Sequence, residues 1–325
     1  MESSEIKKVI DIPGIWENME EVEKRLIKTT ISENQYLTKI AQHLINAGGK
    51  RLRPMVSLIA GELGNRNYDK IINAGVAVEL IHLGSLYHDD VIDKSSKRRG
   101  VESANMKWDS TLAILGGDFL MAKASELAAD KLGIESVKLL ATTYAELVDG
   151  QTREIELSFN TDYGVDDYLK IVKGKTASLI RTSAKLGALA SECDNGTIEA
   201  ISDWALQCGI VFQISDDILD ITSNQESLGK PVGNDILEGT YTLPVHIAIN
   251  EYGTSFIKML HSVKENKEKI NSVLEVLREE NILKKTRDIA NRHLEESNSS
   301  INRLGDSSIQ GTLLKLNSYL VDRTY

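Results

Sequence analysis

Apolar residues recur three or four positions apart along most of the chain, the spacing expected of α-helices with one buried face. Near the amino terminus the spacing is regular, and glutamate and lysine fill the intervening positions. The repeat consists of Ile15, Met19, Val22 and Leu26. A similar pattern over residues 36–47 stops at Gly48-Gly49, where glycine can end a helix. The first part of the chain therefore predicts two amphipathic helices.

Longer helices are predicted downstream, and the first three are apolar around most of their circumference, which indicates burial. The predicted helices cover residues 55–63, 68–93, 112–131, 136–158, 165–190 and 196–221. From Ser255 onward the pattern is polar and charged, which predicts surface helices. Alternating runs are rare, and the chain has only four prolines. We therefore predict an all-α protein with a single domain over residues 1–325 and a flexible segment over residues 1–10.

Composition narrows the expected partners and location. The 325 residues carry a formal net charge of -10, whereas proteins that neutralise nucleic-acid phosphates present basic surfaces, so nucleic acid is not an expected partner. We find no apolar run of about 18 residues that would predict a transmembrane segment, and residues 1–11 are too charged for a secretory signal. Cys193 and Cys208 lack metal-ligand spacing, which predicts reduced thiols and a cytoplasmic protein.

Three aspartates at the end of a predicted apolar helix form the first candidate site. They are Asp89, Asp90 and Asp93. Asp89 and Asp93 are four residues apart, so their carboxylates share one helix face. Like charges so placed, near the negative end of the helix dipole, destabilise the helix unless cations bind there. Carboxylates that act together with substrate phosphates commonly hold Mg²⁺, so the motif predicts a magnesium site.

The same pattern of aspartates occurs a second time, again at the end of an apolar helix. This copy consists of Asp216, Asp217 and Asp220. Chance alone rarely produces two such motifs in one chain, so we interpret both as functional. The pair Asp166-Asp167 has no third aspartate at the right spacing and is interpreted as the solvated start of a helix.

Basic residues are clustered next to these motifs in a chain that is acidic as a whole. The sequence Gly-Gly-Lys-Arg-Leu-Arg-Pro over residues 48–54 combines glycines, which allow close backbone approach, with arginines, which bind phosphate through two nitrogens. Arg98-Arg99 follows the first aspartate motif by five residues. A solvated charge run is the usual interpretation of any one such cluster, but the position beside carboxylates favours a phosphate site.

These motifs occur together, in the same order, in the trans-isoprenyl diphosphate synthases, also called polyprenyl synthetases, and the sequence resembles that family from about Gly48 to Pro244. Further matching segments are Gly117-Asp118-Phe119-Leu120, Lys175-Thr176, Phe212-Gln213 and Thr242-Leu243-Pro244. The resemblance implies a large helical bundle of the isoprenoid synthase type with a central apolar cavity. It also implies a homodimeric enzyme that lengthens an allylic diphosphate with isopentenyl diphosphate.

The resemblance implies specific roles for the motif residues. Three Mg²⁺ ions would be ligated by Asp89, Asp93 and Asp216, with support from Asp90, Asp217 and Asp220. The diphosphate of isopentenyl diphosphate would be held by Gly49, Lys50, Arg53, His82 and Arg99. The allylic diphosphate would be contacted by Arg98, Lys175 and Lys230. The residues nearest the chemistry would be Lys175, Thr176 and Gln213, the last two beside the developing carbocation. One position departs from the family, because Thr240 stands where a lysine is common, which removes one phosphate contact.

Small residues one turn before the first aspartate motif bear on product length. Gly84 and Ser85 stand where short-chain members of the family have a bulky residue, so we expect an open tunnel that continues past Ile81. On the opposing helix the small residues Ala122 and Ser125 are expected to face it. We therefore predict a product of roughly six to eight isoprene units, C30–C40, made from farnesyl or geranylgeranyl diphosphate.

Several alternatives stay open at this point. The chain could be a geranylgeranyl diphosphate synthase, or the catalytic subunit of a two-component hexaprenyl or heptaprenyl diphosphate synthase with a small regulatory partner. A non-catalytic partner subunit is disfavoured because all six aspartates are present. A terpene cyclase is disfavoured because it needs neither the second aspartate motif nor a second diphosphate site. A purely structural bundle would not explain the doubled motif.

Overall fold

A computed structural model describes residues 3–223, 232–305 and 307–322, and the all-α prediction is confirmed over these ranges. The first nine helices are α1 (Ser3–Val9), α2 (Ile15–Thr29), α3 (Gln35–Ala41), α4 (His43–Asn46), α5 (Leu52–Gly61), α6 (Tyr68–Ile92), α7 (Ala104–Lys107), α8 (Ser110–Lys131) and α9 (Ile134–Glu156). A short antiparallel hairpin of β1 (Lys97–Arg98) and β2 (Val101–Glu102) lies between α6 and α7 in the sequence.

The remaining helices follow in the second half of the chain. They are α10 (Val165–Val172), a π-helical turn (Lys173–Ala177), α11 (Ser178–Ala190), α12 (Asn195–Thr222), α13 (Asn234–Glu238), α14 (Leu243–Tyr252), α15 (Thr254–Glu265), a 3₁₀ turn (Lys267–Lys269), α16 (Ile270–Leu277), α17 (Glu280–Ile301) and α18 (Ser307–Asp322).

The helix boundaries agree with the sequence where local signals are strong. Helix α6 begins after Asn67, whose side chain accepts a hydrogen bond from the Lys70 amide, and ends one residue before the predicted end at Asp93. The predicted helix over 36–47 is broken at Gln42 into α3 and α4. The predicted helix over 165–190 is interrupted by the π-helical turn. The segment expected to be flexible contains α1, and Ile10 behind it is fully buried.

The chain forms two compact units. Unit 1 consists of the described residues within Met1–Tyr144, Leu179–Ser202 and Arg303–Thr312, and unit 2 of those within Ala145–Ser178, Asp203–Asn302 and Leu313–Tyr325. The single domain over residues 1–325 stays a prediction.

The core of unit 1 is built around α6. This helix packs against α2, α5 and α8, and apolar residues on all of its sides are buried between Ile71 and Tyr87. Burial on several sides explains why its sequence is apolar around the whole circumference instead of showing one apolar stripe. The carboxyl end of α6, which carries the first aspartate motif, is thereby held on a rigid support.

The core of unit 2 includes the helices of the polar tail, which the sequence predicts to lie on the surface. Helices α15, α16 and α17 instead each bury an apolar face. The buried residues include Phe256, Leu260, Val273, Leu277 and Ile282. They join one hydrophobic cluster with Ile210, Ile214 and Ile218 of α12. The surface prediction is therefore right only for the polar faces, and the apolar faces support the helix that carries the second aspartate motif.

His246 makes the stability of unit 2 depend on pH. Its side chain is 2 % exposed, its Nε2 lies 2.9 Å from the carbonyl oxygen of Tyr241, and burial lowers its pKa to about 4. As the pH falls, the histidine of the unfolded chain is protonated near pH 6.5, whereas the histidine of the folded chain is protonated only near pH 4. The free energy of unfolding therefore decreases as the pH falls from about 6.5 to 4. We expect this histidine to cost about 2 kcal/mol at pH 5 relative to pH 7.5.

Urea unfolding between pH 7.5 and 5 measures this effect. The His246→Gln variant should show a smaller loss of stability on acidification, although it starts less stable. His261→Gln is the control, because His261 is exposed on α15. Equal pH slopes for the wild type and His246→Gln would contradict the assignment.

No helix among the described residues combines the length and the apolarity that a membrane crossing requires.

Candidate active site

The first aspartate motif divides into outward and inward carboxylates. Asp89 is half-buried, and Asp93 is exposed and caps the end of α6. Asp90 is fully buried, and its Oδ1 accepts hydrogen bonds from Arg98 Nε at 2.8 Å and Arg98 Nη2 at 2.6 Å. Burial raises the pKa of Asp90, while Arg98 acts in the opposite direction. Asp90 thus ties the β-hairpin to α6, and Asp89 and Asp93 are left on the accessible side.

The predicted residues around His82 form a strongly positive cluster in unit 1. Burial, followed by the charges of Arg53, Arg99, Arg51 and Arg98, holds the pKa of His82 well below its usual range. The imidazole is therefore neutral at physiological pH, and its one N–H group can donate a hydrogen bond to an anion. Four guanidinium groups acting on one half-buried imidazole define a local field that favours a multiply charged anion.

Arg53 has a buried nitrogen, Nε, that no protein group satisfies among the described residues. Burial is the main reason why the pKa of Arg53 is lowered to about 10; the charges of Glu79 and Asp89 oppose this shift, and the charge of Arg99 adds to it. A buried donor without an acceptor costs free energy unless a ligand supplies one. The geometry therefore fits a phosphate acceptor.

Glu79 organises this cluster from within α6. It is 1 % exposed, and its Oε1 lies 3.0 Å from Arg51 Nη1 and 3.7 Å from Arg99 Nη2. Arg51 also binds both carboxylate oxygens of Glu23, with Nε at 2.5 Å and Nη2 at 3.1 Å. Arg51 is thus fully engaged with protein groups, which separates its role from that of Arg53.

Gly49 allows Arg99 to lie directly against the backbone. The φ of Gly49 is +145°, and a Cβ added there would lie 2.7 Å from Arg99 Cζ. Arg99 Nη1 in turn donates to the carbonyl oxygens of Gly48 and Leu44. The structure therefore brings Gly49, Arg53, His82 and Arg99 together, whereas Lys50 is exposed beside them.

The second aspartate motif in unit 2 shows a similar division. Asp216 is half-buried, and Asp217 and Asp220 are 1 % and 4 % exposed. Asp217 accepts hydrogen bonds from Tyr168 Oη at 2.5 Å and Gln213 Nε2 at 2.9 Å. Burial, with Asp235 nearby, raises the pKa of Asp217 to about 8, although these two hydrogen bonds favour the charged form.

Lys175 and Thr176 lie on the π-helical turn. Such a turn inserts one extra residue into a helix and often marks a functional site. It lies against α9 at a glycine contact, because a Cβ on Gly150 would come 2.5 Å from the Lys175 amide nitrogen. Lys175 Nζ makes a short ion pair with Glu154 on α9. Thr176 Oγ1 donates to Gln213 Oε1 at 2.9 Å, so two predicted catalytic residues are in contact.

Two positions that follow the second motif in the sequence bear on phosphate binding. Lys230, predicted to contact the allylic diphosphate, lies outside the described residues. Thr240, at the position where the family often has lysine, has a half-buried side chain and donates its amide to the Asp235 carbonyl oxygen.

The prediction of open space beside Gly84 is wrong. A Cβ added to Gly84 would lie 2.9 Å from Met121 Cε and 3.0 Å from the Gly117 carbonyl oxygen, so α8 fills this side of α6. Ala122 and Ser125, expected to face α6, are exposed, because the α8 residues that contact Gly84 are Gly117 and Met121. Ile81 is buried, and Ser85 is half-buried with its hydroxyl bonded to the His82 carbonyl oxygen.

Three residues that organise the two motif regions, Glu79, Glu154 and Tyr168, are not among those predicted from the sequence. Glu79 had a usable signal, since a glutamate inside an apolar helix must find a buried partner. Glu154 and Tyr168 had none, because their partners Lys175 and Asp217 are 21 and 49 residues away.

The donor set favours a metal that shares its ligands with a substrate. Among the described residues, no three histidine, cysteine, aspartate or glutamate side chains are grouped so that they could hold a metal ion by themselves. Mg²⁺ is usually bound by one or two carboxylates together with substrate phosphates and water. The pair Asp89 and Asp93, four residues apart on an accessible helix end, fits that mode.

Helical architecture, paired aspartate motifs and a positive cluster are properties of a prenyltransferase, and comparison with known proteins agrees. The sequence profile of the polyprenyl synthetase family matches residues 34–279. A nonaprenyl diphosphate synthase of Mycobacterium tuberculosis is 36 % identical, over 86 % of this chain and 85 % of that protein. Component 2 of the heptaprenyl diphosphate synthase of Bacillus subtilis is 32 % identical, over 95 % and 89 %.

A solved structure supports the same conclusion. The polyprenyl synthase of Caulobacter crescentus, complexed with calcium and isoprenyl diphosphate, superposes with a TM-score of 0.91 at 29 % identity and covers 98 % of both chains. The chain belongs to the polyprenyl synthetase family, the trans-isoprenyl diphosphate synthases.

Proposed function

We propose that this enzyme condenses an allylic diphosphate, such as farnesyl or geranylgeranyl diphosphate, with isopentenyl diphosphate to give an all-trans polyprenyl diphosphate of about C30–C40. The observation that carries the proposal is the positive cluster around His82, with the unsatisfied Nε of Arg53, in the same unit as the accessible pair Asp89 and Asp93. The positive cluster suits a diphosphate that is bound directly by cationic side chains. The aspartate pair suits a diphosphate that is bound through metal ions.

The isopentenyl diphosphate is assigned to the positive cluster. Arg53 and Arg99 hold its phosphates, Gly49 lets the backbone approach, and neutral His82 donates a hydrogen bond, with Lys50 at the exposed edge. The allylic diphosphate is assigned to metal ions on Asp89, Asp93 and Asp216, together with Arg98, Lys175 and Lys230. In this assignment Asp90, Asp217 and Asp220 position their neighbours, which agrees with their burial.

The metal ions are assigned as three Mg²⁺, and when bound they supply Lewis acidity to the leaving diphosphate. The allylic C–O bond breaks and its electron pair leaves with the diphosphate. The double bond of isopentenyl diphosphate then attacks the allylic carbocation, and a proton is lost to the departed diphosphate, so no side-chain base is required. Thr176 and Gln213 present polar oxygens to the cation, and apolar surroundings must exclude water.

Product length is assigned to the region of α6 one turn before the aspartate motif. Ser85 has a small, half-buried side chain there, whereas Met121 of α8 occupies the side next to Gly84. A thioether chain is flexible and can adapt its position to a growing apolar tail. The names of the heptaprenyl and nonaprenyl relatives also support a product longer than C20.

Substitution of Ser85 tests this assignment. Ser85→Phe should stop elongation early, at about four units or fewer, because the ring fills roughly one helical turn of the path. Met121→Ala should shift the product distribution upward by removing bulk beside Gly84. Ser125→Phe, on the exposed side of α8, is the control and should leave product length unchanged. A normal product from Ser85→Phe would refute the path.

The direct test of function uses the purified protein alone. It is incubated with Mg²⁺, farnesyl diphosphate and labelled isopentenyl diphosphate, and the products are sized by chromatography. A ladder that ends at six to eight units supports the proposal, and a stop at four units favours geranylgeranyl diphosphate synthesis instead.

Failure to form any product has two interpretations that can be separated. Binding of isopentenyl diphosphate without turnover would favour the two-component alternative, for which the relative named component 2 is the supporting observation. Absence of both binding and turnover would contradict the proposed function. The homodimer and the cytoplasmic location stay predictions, and size measurement of the active species tests the former.

A further inference from the structure

Three hydrogen bonds link Tyr168 on α10 to Thr176 on the π-helical turn. Tyr168 Oη donates to Asp217 Oδ2 at 2.5 Å, Gln213 Nε2 donates to Asp217 Oδ1 at 2.9 Å, and Thr176 Oγ1 donates to Gln213 Oε1 at 2.9 Å. All four residues belong to unit 2. Tyr168 and Asp217 are 5 % and 1 % exposed, so this end of the chain of bonds is shielded from water.

The donor and acceptor of each hydrogen bond determine how the next side chain is oriented. Gln213 turns its NH₂ toward Asp217, so its carbonyl oxygen faces Thr176. Thr176 has one hydroxyl proton, and Gln213 Oε1 takes it. The lone pairs of the Thr176 oxygen are then directed away from Gln213 and are available to a positive charge. The orientation of Thr176 thus depends on where Asp217 is held.

Tyr168 is the group that holds the second oxygen of Asp217. Gln213 lies four residues before Asp217 on α12, so their contact follows from the helix itself. Tyr168 is on another helix, and its hydroxyl sets the position of the carboxyl group relative to the π-helical turn. A buried oxygen without a hydrogen-bond donor costs free energy. Removal of this hydroxyl therefore favours rotation of the Asp217 carboxyl group and of the Gln213 amide toward other donors.

We propose that Tyr168 is a positioning residue for the condensation, which acts through Asp217 and Gln213 to aim the Thr176 oxygen at the allylic carbocation. This inference rests on the proposed function. It also gives Asp217 a task other than metal binding, since both of its oxygens accept hydrogen bonds from protein groups. Misaligned oxygens stabilise a developing positive charge less well, and displacement of a catalytic group by about 1 Å can lower a rate on the order of 100-fold.

The test compares two tyrosines of unit 2 whose rings both lie beside His246 and whose hydroxyls have different partners. Tyr168→Phe removes the bond to Asp217. Tyr163→Phe is the matched control, because the Tyr163 hydroxyl donates to the Tyr241 carbonyl oxygen at 3.1 Å in the same unit. Each variant is assayed for kcat, for the KM of both substrates, for melting temperature, and for the fraction of allylic substrate released as prenyl alcohol.

Tyr168→Phe should lower kcat by about 10- to 100-fold with little change in either KM. The alcohol fraction should rise, because a carbocation that is poorly aligned with the double bond of isopentenyl diphosphate is captured more often by water. Tyr163→Phe should retain kcat and the alcohol fraction. An equal loss of kcat in both variants, in step with melting temperature, would show a purely structural role and overturn the inference.

A double-mutant cycle with Thr176→Val tests whether the effect of Tyr168 on kcat depends on Thr176. If Tyr168 acts through Thr176, the change Tyr168→Phe should have little further effect on kcat once Thr176 is valine. Additive losses would overturn the inference while leaving the proposed function intact. Absence of condensation by the wild-type enzyme, under conditions in which it binds neither substrate, would overturn both.

Discussion

Replacement of Asp89 by asparagine should lower kcat for condensation on the order of 1000-fold, a loss typical of removing one group that stabilises transition-state charge. Asp89 lies on the accessible side of the carboxyl end of α6, four residues before Asp93. The substitution halves the charge of the pair while the side chain keeps its shape and the helix keeps its length. The leaving diphosphate would then be neutralised less completely.

Magnesium dependence gives this prediction a second measurement. The Mg²⁺ concentration for half-maximal rate should rise in Asp89→Asn, and the melting temperature should stay near that of the wild type, because Asp89 is only half-buried. The control is Asp166→Asn, which makes the same change at an exposed aspartate in the first turn of α10. A kcat within tenfold of the wild-type value would remove Asp89 from the metal site.

Replacement of Glu79 by glutamine should destabilise the protein by about 3 kcal/mol, the lower end of the range for breaking a buried ion pair. Glu79 is 1 % exposed and faces Arg51 and Arg99, and Arg51 is itself 6 % exposed. The lower end applies because Arg51 keeps Glu23 and Arg99 keeps two carbonyl oxygens. The remaining cost is positive charge left inside unit 1 without its buried counter-charge.

Urea unfolding measures the effect, with Glu62→Gln as the matched control. Glu62 is also buried, but its partner Arg66 is largely exposed, so this pair should contribute less than about 1 kcal/mol. Pyrophosphate should restore part of the stability of Glu79→Gln, since an anion that binds only the folded state raises its stability. Equal losses for the two glutamates would contradict the central position of Glu79.

The agreement between sequence and structure is closest where the decisive physics is local. Helix α6 begins and ends within one residue of its prediction because an asparagine cap and an apolar run mark it. The second aspartate motif lies on α12 and the first runs from the last turn of α6 to its C-cap, which agrees with the helix ends predicted for both. The pattern was less informative for the tail, since a helix with one buried face looks polar on average when its other faces are charged.

The helical class, the two aspartate motifs and the basic segments at 48–54 and 98–99 are predictable from the sequence, because each depends on residues within a few turns of one another. Only the tertiary structure decided which members of each motif turn inward, since burial of Asp90 and Asp217 depends on Arg98 and Tyr168 on other elements. It also placed Met121 beside Gly84, a contact between residues 37 positions apart that no periodicity predicts. Partners chosen across the fold depend on how helices pack, and packing is a property of all side chains together.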